Sequence, residues 1–285
     1  MKTAYIFSGQ GSQKKGMGKN LFDEFKHLTE KANNILNYNI KKLCIEDSQN
    51  LLDQTDYTQP ALYIVNSFAW LKKKESAEKP HYFAGHSLGE YNALFAAKAF
   101  DFETGLKLVQ KRAKLMSLAK KGGMAAVIGL SESKIVEILR ENNFSEISVA
   151  NYNSYEQTVI SGIKNQIEKA ETLFKKAGAK MYIILPVSGA FHSEQMTGAK
   201  EKFVEFIKQF QFNPPQTPVI SNVTAQEYED NNIKDLLCLQ ITSPVKWRHT
   251  VEYLIKKGEM QFEEIGDGKI LTNFVKRIKK SLGAK

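Results

Sequence analysis

The chain has 285 residues and a formal net charge of +9, with 42% hydrophobic and 25% charged residues. That length supports a full hydrophobic core, and that balance excludes a disordered, collagen-like or coiled-coil chain. No run of about 18 apolar residues exists to span a membrane, and the apolar run in the N-terminal MKTAYIFSGQGSQ is too short for a secretory signal. Cys44 and Cys238 stand far apart in no metal-like spacing, so they read as reduced buried thiols of a cytoplasmic protein with no metal site. The basic excess gathers at the C-terminus, where 269–285 holds Lys269, Lys276, Arg277, Lys279, Lys280 and Lys285 and no acid. Such a surface suits an acidic protein or a phosphorylated ligand, or serves as a solubilising helix face. Nucleic acid is disfavoured, because zinc-finger spacing and an aromatic RNA-binding signature are both absent from the sequence.

In chain order, Ala4–Phe7 reads as a short buried strand, followed by the Gly-rich loop SGQGSQKKGMG. Leu21 to Leu36 has helical spacing, and Gln59 to Lys74 is a second apolar helix with Pro60 in its first turn. Tyr82-Phe83-Ala84 is a strand running into GHSLGE, and a helix follows from Leu88 to Ala99. Asp101 caps a helix carrying Leu106, Val109, Arg112 and Met116. The rhythm changes at Gly122-Gly123. Strand Met124–Leu130, helix Ser131–Arg140, strands Ile147–Ala150 and Thr158–Ser161, helix Ile163–Lys176 and strand Lys180–Leu185 follow. That order is βαββαβ, the split pattern of a ferredoxin-like unit. The reading is therefore an α/β fold, with 1–122 and 187–285 as the large part and 123–186 as a small inserted subdomain. A helix over Glu194–Phe210, the segment NPPQTP, a strand at Val219-Ile220-Ser221 and a helical C-terminal region complete the chain.

Gly85-His86-Ser87-Leu88-Gly89 fits G-x-S-x-G, a tight strand-to-helix turn that presents a serine at a strand end and aims a helix N-terminus at the reacting atom. The competing reading is a structural serine in a glycine turn. A nucleophilic serine needs a base, and the chain offers His27, His81, His86, His192 and His249. His27 lies in a polar helix, His81 precedes a strand and His249 sits in a polar stretch. His86 is inside the turn, beside the serine. His192, in SGAFHS between a strand and a helix, is favoured over the others, against a satisfied structural histidine.

GQGSQ, GHSLGEY, QKRAKLM, NYNS…QTVISG, GAFHS and QITSPVKW occur in this order along essentially the whole chain. Together they resemble the malonyl-CoA:acyl carrier protein transacylase family, most closely the free-standing acyltransferases of modular polyketide synthases. The resemblance implies a hydrolase-like large domain with a short parallel sheet. It also implies that Ser87 is the acylated nucleophile and His192 the general base and acid. The main-chain carbonyl of Gln240 would orient His192 in place of an aspartate, and the N–H groups of Gln10 and Leu88 would form the oxyanion hole. Arg112 would hold the malonyl carboxylate, and Phe191, His86, Asn153 and Met116 would contact substrate. The NYNS loop, with Asn151 and Asn153, would lie near the thioester. The implied partners are malonyl-CoA and an acidic, phosphopantetheinylated acyl carrier protein, with no bound cofactor, nucleic acid or membrane, and a monomeric enzyme. Tyr155 and Asp267 stand where the family commonly has proline. Two alternatives are an acyl hydrolase of the same fold, disfavoured by Arg112, and an ordinary esterase, disfavoured by the GQGSQ start. A carrier-docking module without activity is disfavoured because Ser87, His192 and Arg112 fill every catalytic role.

Overall fold

The computed structural model describes residues 1–76, 78–119, 122–187 and 189–283. The first part runs β1 (Lys2–Phe7), α1 (Leu21–Glu24), α2 (Lys26–Leu36), α3 (Ile40–Glu46), α4 (Thr55–Lys73), β2 (Tyr82–Gly85), α5 (Gly89–Ala96) and α6 (Phe102–Ser117). The middle runs β3 (Gly122–Ile128), α7 (Glu132–Glu141), β4 (Ile147–Ser154), β5 (Gln157–Ile163), α8 (Lys164–Lys176) and β6 (Met181–Ile184). The last part runs α9 (Thr197–Ile207), β7 (Val219–Ile220), α10 (Ile233–Gln240), α11 (Trp247–Lys256), β8 (Met260–Ile265) and α12 (Ile270–Leu282).

Two sheets organise these elements. The first is parallel, in the order β7-β2-β1-β8. Alternation along β1 sends Tyr5 and Phe7 to one face, against α4, α5 and α6, and Ala4 and Ile6 to the other, against α11 and α12. With helices on both faces the central strands β1 and β2 are largely apolar, as buried parallel strands are. The second sheet is antiparallel, in the order β4-β5-β3-β6, with α7 and α8 packed on one face. Element order and strand order together are those of the ferredoxin-like unit expected from the sequence. The sheets are stitched where Val245 N–H donates to Ala150 O at 2.8 Å and Tyr152 N–H to Val245 O at 2.9 Å. Among the described residues no helix is long and apolar enough to cross a membrane.

Several sequence expectations need correction. The C-terminal region is not all helical, because Met260–Ile265 forms β8, the edge strand beside β1. Its middle is polar because an edge is half wet: Glu263 pairs with Lys73, and Glu264 accepts the Thr272 N–H at the start of α12 at 2.9 Å. The NYNS segment is not a loop but the end of β4, which bulges between Val149 and Asn151 and again between Tyr152 and Ser154. The helix expected over 21–36 is two, broken at Phe25 (φ −106°, ψ 45°). Pro60 lies in the second turn of α4, which begins four residues before Gln59, at Thr55.

Candidate active site

β2 ends in the turn that carries Ser87. The flanking glycines are required by close approach rather than by backbone angle. A Cβ on Gly85 would lie 1.9 Å from the Gly89 carbonyl carbon, and one on Gly89 would lie 2.0 Å from Phe7 O. The strained residue is Ser87 itself, at φ 52°. A non-glycine residue there costs on the order of 1–3 kcal/mol, so its surroundings must hold it. They do: Ser87 N–H donates to Asn222 Oδ1 at 2.7 Å, and Asn222 Nδ2 donates to Gly85 O at 2.6 Å.

His192, also at positive φ (59°), faces the serine, with Nε2 2.8 Å from Ser87 Oγ. Its other nitrogen lies 2.8 Å from Gln240 O, which can only accept. Nδ1 therefore carries the proton, and the Nε2 lone pair points at the serine hydroxyl. Gln240 is the last residue of α10, where main-chain carbonyls lack helical partners and the helix dipole is negative. Burial, then the neighbouring Arg112 charge, pull the His192 imidazole down to about 3, so the ring is neutral at neutral pH.

Arg112 comes off α6, fully buried with 1% exposure. Its Nη1 donates to Gln59 Oε1 at 2.5 Å; its Nη2 donates to Gln240 Oε1 at 2.9 Å and to Ser87 Oγ at 3.1 Å. Gln59, Ser87, Arg112 and His192 open on a cavity of about 100 Å³, also lined by Gln10, His86, Leu88, Met116 and Phe191, and by Met124 and Asn151 of the antiparallel sheet. Asn153 stands behind this wall. Its Oδ1 accepts from His86 Nε2 at 2.8 Å, and the His86 ring packs 5.9 Å from the Trp247 ring. Gln10 is tethered through its side chain to Thr55 Oγ1 at 3.2 Å. The structure thus brings all ten sequence-derived site residues to one place. A neutral histidine on a serine hydroxyl, beside a buried guanidinium, can activate the serine and hold an anionic acyl group.

Residues 4–282 match the family model described as "Acyl transferase domain". The chain belongs to the acyl transferase family. It is 54% identical over 282 residues, 98% of either chain, to the polyketide biosynthesis malonyl CoA-acyl carrier protein transacylase PksC of Bacillus subtilis. It is 51% identical over 279 residues, 96% of either chain, to BaeC of Bacillus velezensis, which carries the same description. Among solved structures, the malonyl CoA-acyl carrier protein transacylase of Burkholderia pseudomallei superimposes with a TM-score of 0.95 at 44% identity, over 98% of both chains. A type II PKS acyl-carrier protein in complex with its malonyl-transacylase matches with a TM-score of 0.93 at 35% identity, over 98% of this chain and 94% of that one.

Four polar residues of this acyltransferase's site escaped the sequence reading. Gln59 and Glu90 are buried near the starts of α4 and α5, and Asn222 and Tyr228 follow β7. Neither of the first two stands out locally, because Thr58, Asn66, Ser67 and Asn92 are polar and buried in the same helices. Glu90 is fully buried; burial pushes its carboxyl up to about 7, against Tyr228, Asn222, Gln240 and Arg112, which pull it down. The two departures from the family pattern hold loops. Asp267 Oδ2 accepts the Gly18 N–H at 2.8 Å, tying the turn before α12 to the Gly-rich loop, and Arg248 lies 4.9 Å over the Tyr155 ring.

Proposed function

We propose that Ser87 takes a malonyl group from malonyl-CoA and passes it to the phosphopantetheine thiol of an acyl carrier protein, with His192 serving both steps. In the first step His192 Nε2 takes the serine proton as Oγ adds to the thioester carbonyl. The tetrahedral oxyanion is received by the N–H groups of Gln10 and Leu88. Collapse expels the coenzyme A thiolate, which takes the proton back from His192. The second step runs the same path in reverse with the carrier thiol, so the kinetics are ping-pong. Residues 1–122 and 187–285 supply these groups, and 123–186 serves as a subdomain walling the acyl pocket.

One observation carries the substrate assignment: the Arg112 guanidinium reaches within 3.1 Å of the Ser87 hydroxyl, inside a buried cavity. In a malonyl ester the free carboxylate is one methylene away from the ester carbonyl, so one guanidinium at that distance spans the group. An acetyl group offers it nothing. The hydrolase alternative finds no support in the relatives, whose names describe transacylases, two of them in polyketide biosynthesis. Phe191, 5% exposed against the same cavity, occupies the volume that a branch on the acyl α-carbon would need. The enzyme acts as a monomer on an acidic carrier.

Intact-protein mass spectrometry after mixing with malonyl-, methylmalonyl- and acetyl-CoA tests this reading. Malonyl should load in preference to both others, and holo carrier protein should then remove it faster than water does. Equal loading of acetyl, or loss to water unaccelerated by carrier, overturns it.

A further inference from the structure

We propose that Glu90 is a positioning residue whose carboxylate fixes the side chains of Gln240 and Asn222, and through them the His192 ring, the Arg112 guanidinium and the Ser87 turn. Glu90 lies three residues after Ser87, on the buried side of α5, with 0% exposure. Its contacts are all from donors. Oε1 accepts from Tyr228 OH at 2.6 Å and from the Asn222 N–H at 2.8 Å, and Oε2 accepts from the Gln240 side-chain amide. Each recipient serves the site. The Gln240 amide also donates to Ser87 O at 2.9 Å, its Oε1 takes Arg112 Nη2 at 2.9 Å, and its main-chain carbonyl holds His192 at 2.8 Å. Asn222 clamps both the N–H of Ser87 and the carbonyl of Gly85.

The chemistry of an amide makes the carboxylate decisive. A glutamine side chain can rotate by half a turn and exchange its NH₂ and oxygen at almost no steric cost. Gln240 turned that way would set its NH₂ against the Arg112 guanidinium, donor against donor, and leave both unsatisfied in the interior. Ionised, Glu90 can only accept, and that excludes the turned rotamer. It commits Oε1 of Gln240 to Arg112, and, with Gln59 Oε1 on the other nitrogen, this sets the plane in which the guanidinium meets the acyl carboxylate. Glutamine at position 90 would have the same shape and the wrong polarity, because its NH₂ must face one of three donors.

The test is Glu90→Gln in the full chain, with malonyl-transfer as the assumed reaction, read three ways: malonyl-CoA loading, acetyl-CoA loading, and labelling of Ser87 by a fluorophosphonate. Malonyl kcat/KM should fall by about tenfold or more. Acetyl loading and labelling, which need His192 but not Arg112, should fall less. Unchanged rates, or equal losses on all three, overturn the proposal, equal losses being what a destabilised fold gives. Tyr228→Phe removes one donor at constant volume and stands in if Glu90→Gln does not fold. A drop in its malonyl-to-acetyl ratio supports the proposal and an unchanged ratio overturns it. Wild type that labels but does not load malonyl sinks the transfer reading alone. Labelling then decides for Glu90: slower labelling of Glu90→Gln supports the role, and wild-type labelling overturns it.

Discussion

The two sheets meet at one cavity and contribute to it in different ways. The parallel sheet ends in Phe7, Gly85 and Ile220, and the segments that follow carry Gln10, Ser87 and Asn222. Every strand of a parallel sheet stops at the same side, so reacting groups from distant parts of the chain converge there. The antiparallel sheet alternates direction and cannot gather strand ends in this way. It reaches the cavity only through Met124 near the start of β3 and Asn151 at the bulge in β4. Its far edge, β6, leaves Met181, Ile183 and Ile184 partly exposed, whereas the strands of the parallel sheet that lead into the site are buried. On the proposed reading the chemistry resides in a network of buried polar groups around one sheet, while the other supplies a wall. Substitutions in the first should therefore act on rate and in the second on fit.

The largest effect belongs to Ser87→Ala, which should leave no malonyl adduct by intact mass. An adduct on that variant would remove the parallel sheet's claim to the nucleophile. Next comes His192→Ala, which should slow loading by about 10²–10⁴-fold. The pH dependence sharpens this point. The base works when neutral, and burial holds its imidazole down to about 3, so in the Glu90→Gln variant, which lacks the carboxyl that burial pushes up to about 7, loading should stay level from pH 8 to 5. A fall centred near 6.5 would mean an ordinary, solvated histidine. Arg112→Ala should cut malonyl loading by at least about tenfold and acetyl loading less, read as a ratio of kcat/KM values. Equal losses would make Arg112 structural.

The wall should be more forgiving. Asn153→Ala frees His86 and should raise the malonyl-CoA KM by only a few-fold with kcat near wild type. A loss approaching that of His192→Ala would erase the distinction between the two sheets. The smallest effect concerns the basic C-terminal helix. α12 packs back along β8, and Lys279 Nζ reaches Met260 O, 3.1 Å away at the beginning of that strand. The Lys276, Lys279 and Lys280 end of α12 thus points away from the strand ends that hold Ser87. The 13-residue helix is about 20 Å long, some two Debye lengths at 0.1 M salt. Reversing these three charges should change the carrier KM by less than about twofold. A larger rise would place carrier docking at this end of the molecule.

What the sequence determined by itself is what short-range pattern encodes. The G-x-S-x-G turn could be read because close approach at Gly85 and Gly89 admits no side chain, and the βαββαβ order because period-two and helical spacings alternate cleanly between 123 and 186. The ordered motifs then named the family. Other features depended on partners remote in the chain. β8 reads as polar because its place at the sheet edge, beside Lys73 and the start of α12, makes polar residues acceptable. Asn151 and Asn153 look like loop residues until the Val245 segment pairs with β4. Glu90 shows no role until Tyr228, Asn222 and Gln240 arrive from 138, 132 and 150 residues away to satisfy it. Hydrophobic periodicity is a local property of the chain, whereas a buried charge is tolerable only through the donors the finished fold brings to it, and those no local pattern records.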